Sequence, residues 1–206
     1  MANPGPTTTR RALLGALTTA PIAIRPVKAV VSPWQSALAD LHEVYDHEPA
    51  SLYRTKAGRS LSRFRYHNAE RFCLKVGAPY ACTGEELMYA SGIVVQLALS
   101  SYLIDIGFSD QWCARQIGLH VAQSLAYANA TGLGHDCPDM ARLAMVLSPY
   151  WQWNRVRLFG ESEPDNGGFT VEQIDPLLRA LLDRVHGVTG HPRPNGWRRG
   201  RQERRS

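Results

Sequence analysis

The sequence predicts a mainly α protein: a compact bundle of five or six helices over residues 30–187, with one short extended segment near 151–159. Three observations carry that prediction. Apolar residues recur every three or four positions in several separate stretches, which is the period of a half-buried helix. Two T-x-x-E/Q boxes, Thr83 with Glu86 and Thr170 with Gln173, stand directly before apolar runs, where a helix start needs its free N–H groups satisfied. Between Leu87 and Ile104 lie 18 residues without a charge, long enough to form the central helix of a bundle.

Ser32-Pro33 suits a helix start, and Trp34, Leu38, Leu41, Val44 and Tyr45 give 33–47 one apolar face. Residues 59–76 alternate locally around Arg63-Phe64-Arg65-Tyr66-His67. Leu61, Phe64, Asn68 and Phe72 nevertheless suit a helix, and the length favours it. The run 87–104 reaches the lower limit of a membrane span. Ser91, Gly92, Gln96, Ser100 and Ser101 interrupt it and no basic anchors flank it, so a buried core helix is expected rather than a transmembrane one. Gly107 stops it. Ser109 caps a further long helix running to Gly132, which forms a hairpin with the first. Pro138–Leu147 is a shorter helix. Tyr150–Phe159 is aromatic and β-branched, which predicts the extended segment. Thr170 opens the last helix, with Ile174, Leu177, Leu178, Leu181, Leu182 and Val185 as its apolar face and Gly187 at its end. Residues 188–206, rich in Gly, Pro and Arg, are expected to be a disordered tail.

Hydrophobic residues make up 44% and charged residues 20% of the 206, which excludes wholesale disorder. The net charge of +5 is unevenly placed. Residues 1–29 hold four basic residues and no acid, and 191–206 hold six arginines against one acid. The span 30–190 has 13 basic against 17 acidic residues. Bulk charge on that body does not indicate a nucleic-acid-binding domain. Seven of its 13 basic residues, however, fall between 54 and 75.

The four cysteines, Cys73, Cys82, Cys113 and Cys137, form no C-x-x-C, which excludes zinc-ribbon and thioredoxin-like readings. Cys73–Cys82 and Cys113–Cys137 are each close enough in sequence to pair in an oxidising compartment, the alternative being buried free thiols. His135, Asp136, Cys137 and Asp139, with His120 upstream, form the densest group of ligand types. Asp at a helix start meets the helix dipole without a metal, so no metal or cofactor is expected. His67 and Glu70 are one turn apart, as an acid–base pair would be, but solvated surface is the simpler reading. No P-loop, G-x-S-x-G, H-E-x-x-H or G-x-G-x-x-G occurs, so nothing argues for catalysis.

The basic cluster has a better physical case. Arg54, Lys56, Arg59, Arg63, Arg65, Arg71 and Lys75 are interleaved with Phe64, Tyr66 and Phe72. Cations of this kind neutralise phosphates and exposed aromatic rings stack on bases. The competing reading is a solvated helix face whose aromatics point into the core. Arg198, Arg199 and Arg201 in the tail are further candidates for phosphate contact.

Two resemblances add expectations. Thr9-Arg10-Arg11-Ala12-Leu13-Leu14, a modest apolar stretch to Ile24, and Val27-Lys28-Ala29 as a small-residue cleavage site resemble a bacterial twin-arginine export signal. That resemblance implies that Arg10 and Arg11 are the targeting residues, that cleavage follows Ala29, and that the mature chain is periplasmic. Glu85–Ala126, with its polar start, apolar helix, Gly-Phe-Ser turn and second helix, resembles the helical part of MerR-like winged helix-turn-helix regulators. It implies DNA contact through the segment upstream, here 54–75. The sequence therefore leaves two main expectations, with an enzyme whose site is unrecognised as a third reading. One is an exported helical protein that binds an unidentified protein partner without catalysis. The other is a cytoplasmic DNA-binding or phage-type accessory protein.

Overall fold

The computed structural model describes residues 34–76 and 84–194, all within one compact unit. Among these residues there are eight helices and no strand. They are α1 (Gln35–Tyr45), α2 (Lys56–Val76), α3 (Gly84–Ile106), α4 (Asp110–Trp112, continued by a π-helical turn at Cys113–Ile117), α5 (Val121–Ala130), α6 (Pro138–Val146), α7 (Trp151–Phe159) and α8 (Val171–Thr189).

The helix α3 is the axis. It packs on α2, α5, α7 and α8, and nearly every residue from Leu87 to Ile106 that faces them is buried. It is long and apolar enough to cross a membrane, yet 72% of its most apolar window is already buried among the other helices. The polar interruptions have partners inside the domain. Ser62 of α2 and Ser101 of α3 meet where the helices cross, each hydroxyl donating to the other residue's carbonyl at 2.7 and 2.8 Å. Gln96 donates to the carbonyl of Gly118 at 3.0 Å.

That last bond marks a departure from the sequence expectation of one helix from Ser109 to Gly132. Ser109 does cap the start, its hydroxyl accepting from the Trp112 N–H at 3.0 Å. The helix then widens into the π turn and stops at Gly118, whose φ of +58° only glycine adopts cheaply. A new helix, α5, begins at Val121. The freed carbonyl of Gly118 is the one that Gln96 satisfies.

The expected extended segment is also corrected: 151–159 is helical. Aromatic and β-branched residues prefer strands only where a sheet receives them, and burial overrides that preference here. Trp153 is fully buried, and its indole N–H reaches the Val146 carbonyl at 3.3 Å. Tyr150, at the helix start, packs against Gly92 of α3, where a side chain would overlap the Tyr150 Cβ.

At the other end the folded domain continues past Gly187. Helix α8 starts as expected, with the Gln173 side chain accepting from the Thr170 N–H at 3.1 Å, but it runs to Thr189. Gly190 turns the chain and His191 is fully buried. The boundary at 187 therefore falls short, because 188–194 are packed onto the bundle; 195–206 lie outside the described residues. The helix α1 and the loop after it are held on α5 by rings: His42, Tyr45, His47 and Trp112 surround Tyr127, and His47 Nδ1 is 3.0 Å from the Tyr127 hydroxyl. The thiols of Cys73, Cys113 and Cys137 are free. Burial pushes Cys73 and Cys113 up to about 12, so both are protonated, inert packing groups.

Candidate nucleic-acid interface

The helix α2 contains one acid, Glu70, and the fold removes it from the surface. Glu70 is fully buried, accepts a hydrogen bond from the Tyr66 hydroxyl, and pairs with Arg193 of the chain end at 3.5 Å. Burial raises its carboxyl above the ordinary range, against the pull of the Tyr66 hydroxyl and the Arg193 charge. The solvent face of α2 is left with cations and no anion of its own.

Lys56, Ser60, Arg63, Phe64 and Arg71 are exposed at helical spacing along one side of α2. Lys56 and Arg71 are 15 residues apart, about 22 Å along a helix. Phe64 is 63% exposed at the middle of this side. One turn further on, Asn68, Arg71, Phe72 and Leu74 line a surface depression of about 340 Å³. Leu74 is 45% exposed there.

Other expected members are placed elsewhere. Arg59 pairs with Asp105 at 3.0 Å and reaches the Thr189 carbonyl. Arg65 pairs with Asp110 at 2.6 Å. Arg54 is exposed at the approach to the helix. Tyr66 points into the core and Phe72 is half-buried, so of the three interleaved aromatics only Phe64 stands fully outward. Lys75 belongs to the same helix. Arg10, Arg11, Ala29, Cys82, Arg198, Arg199 and Arg201 lie outside the described residues.

The sequence missed the strap, residues 190–194. His191 Nε2 is 2.6 Å from the Ser62 hydroxyl and 3.6 Å from Asp105 Oδ1. His186 Nδ1 is 2.7 Å from the His191 carbonyl, and His67 Nε2 is 2.8 Å from the Pro192 carbonyl. Arg193 pairs with Asp183 as well as Glu70. His67 and Glu70 therefore do not face each other as an acid–base pair; each holds a different residue of the strap. The signal that was available is Gly190-His-Pro-Arg-Pro194, whose two prolines stiffen the backbone after a turn residue.

Ser62, His191 and Asp105 invite comparison with a nucleophilic triad, but the geometry is wrong for one. The Ser62 hydroxyl donates to the Ser101 carbonyl, so His191 Nε2 carries the proton and donates to Ser62. Asp105 approaches that same nitrogen instead of Nδ1, and Nδ1 is buried without a partner. A base must accept the serine proton, with its other nitrogen oriented by the acid. Ser62 and His191 are also fully buried, out of reach of a substrate.

Among the described residues no three His, Cys, Asp or Glu side chains converge as metal ligands. His135 is pushed down by burial, with Arg184 adding to the effect. No family model matches the chain, and no curated protein or solved structure matches it.

Proposed function

We propose that this chain is a binding protein whose contact surface is the solvent face of α2, and that its ligand is single-stranded nucleic acid. One observation carries the reading: a largely exposed phenylalanine, Phe64, lies on the same side of α2 as Lys56, Arg63 and Arg71, in a helix whose single acid is buried. The cations match a phosphate backbone, and a protruding ring gains by stacking on a base. Bases in a duplex are already stacked, so Phe64 favours an unpaired strand. The depression beside Arg71 offers an amide, Asn68, to a base edge and apolar walls to its ring.

The test is anisotropy of a labelled oligothymidylate of about 20 nucleotides against the full chain, titrated with salt. Affinity should fall steeply as salt rises. Lys56→Gln, Arg63→Gln and Arg71→Gln should each flatten the log–log slope by about 0.7. Phe64→Ala should weaken binding roughly five- to a hundredfold, the range for one lost base stack, while leaving the slope in place. A salt-independent signal, or variants that bind like the parent, would remove the reading.

A second reading concerns compartment. Arg10-Arg11, the weakly apolar stretch after them and Ala29 support an exported protein, with α2 facing whatever polyanion that compartment offers. Fractionation separates it from a cytoplasmic accessory protein.

A further inference from the structure

Along α2, Leu61, Phe64, Asn68 and Phe72 recur every three or four residues, and Asn68 is the polar member of that row. Asn68 is half-buried. Among the described residues its amide has no hydrogen-bond partner. Other asparagines are tied to backbone: Asn129 holds both the N–H and the carbonyl of His135, and Asn166 accepts from the Gly168 N–H. Asparagine is also a poor helix former, so helix propensity does not call for one in the middle of α2.

We infer that Asn68 selects the base, and that the depression it lines with Arg71, Phe72 and Leu74 takes an adenine. The inference deepens the reading of α2 as the contact surface for single-stranded nucleic acid and rests on it. The adenine N6 amino group donates to the Asn68 side-chain oxygen, and N7 accepts from the Asn68 side-chain N–H. Phe72 and Leu74 cover the rings, and the exposed Arg71 meets the adjoining phosphate.

A carboxamide carries an acceptor and a donor side by side, and adenine presents the complementary donor and acceptor. The same edge of guanine offers two acceptors, one of which would face the amide oxygen. A two-ring base also covers more of Phe72 and Leu74 than a pyrimidine does. The volume of about 340 Å³ is at the small end for a ligand pocket, room for one base. Once a base closes over the amide and expels its water, an edge that cannot pair with it costs affinity. The register fits as well. Asn68 and Phe72 follow Phe64 by four and eight residues, about 6 and 12 Å of helix. A stacked strand rises about 3.4 Å per nucleotide, so the selected base lies two to four nucleotides from the one stacked on Phe64.

The experiment measures anisotropy of labelled strands of about eight nucleotides on the full chain, long enough to span Lys56 to Arg71. One strand is all thymidine; in three others a central residue is replaced by deoxyadenosine, deoxycytidine or deoxyguanosine. Deoxyadenosine should tighten binding about fivefold or more, the low end of what one bidentate pair gives. Asn68→Ala should abolish that advantage while the all-thymidine strand binds as it does to the parent. Asn68→Asp, which can only accept, should move the preference to deoxycytidine through its N4 amino group. A parent without a preference for adenine, or a preference that survives Asn68→Ala, overturns base selection while the α2 reading stands. So does loss of the all-thymidine strand in Asn68→Ala, because Asn68 then shapes the helix instead of reading a base. If the all-thymidine strand shows no salt-dependent binding to the parent, the α2 reading itself falls, and base selection with it.

Discussion

Ser62 and His191 stand 129 positions apart and share a hydrogen bond of 2.6 Å in the interior. That bond ties α2 to the strap, with Asp105 of α3 at 3.6 Å from the same nitrogen, and it has a pH consequence. Burial lowers the His191 pKa below the ordinary 6.5, with Arg59, Arg63 and His67 acting the same way and Asp105 opposing. A proton added to the folded state must enter at Nδ1, which has no acceptor. Stability from this group is intact above pH 6.5 and is lost as pH falls from there toward the lowered folded value. His42, His47 and His135 shift in the same direction. The melting temperature should fall between about pH 7 and about pH 5, and His191→Gln should make that fall shallower. Identical slopes for parent and variant would show that His191 is not a contributor.

Arg193 and Glu70 give a second prediction. Their side chains are 14% and 1% exposed, so removing the guanidinium strands a carboxylate in the interior. Arg193→Met should cost about 3–5 kcal/mol. Adding Glu70→Gln removes the buried acid and should recover the share of the loss due to it, leaving the cost of the lost Arg193–Asp183 pair. Denaturant melts of the two singles and the double give the coupling; additive losses would mean that the pair is not a unit.

Two glycines should respond in opposite directions. Gly92 is pressed against Tyr150 where α3 meets α7, so Gly92→Ala forces those helices apart, at about 1–3 kcal/mol. Gly187 lies inside α8 with open space where a Cβ would go. Gly187→Ala should stabilise the protein by about 0.4–1 kcal/mol, through helix propensity and a less flexible unfolded chain. Thermal melts of both variants decide it; a neutral Gly92→Ala would disprove the close α3–α7 packing.

Export makes a cellular prediction. Replacing Arg10 and Arg11 with lysine should trap in the cytosol a chain that the parent sequence delivers outside. Fractionation with an amino-terminal sequence of the mature protein is the measurement, and a native protein beginning at Met1 or Ala2 would count against export.

The helical class was legible because it depends on local periodicity and capping. Thr170 and Gln173, Ser109 before Trp112, and the apolar face of α8 can all be read without knowing what they touch. The candidate face was half legible for the same reason. The sequence named Arg63, Phe64 and Arg71, but it named Arg59 and Arg65 equally. Only their pairing with Asp105 and Asp110, each more than forty positions away, sets them apart from Lys56, Arg63 and Arg71.

By itself, then, the sequence determined that the chain folds as helices and where its positive charge is concentrated, since both follow from neighbours within a few turns. Tertiary structure decided that 151–159 is a helix, that the helix after Ser109 breaks at Gly118, and that residues 190–194 form a strap on the bundle. Each of these depends on a partner distant in sequence: Gly92 for α7, Gln96 for the break, and Ser62, His67 and Glu70 for the strap. A buried polar group must find its partner wherever the fold supplies one, and no local pattern encodes that.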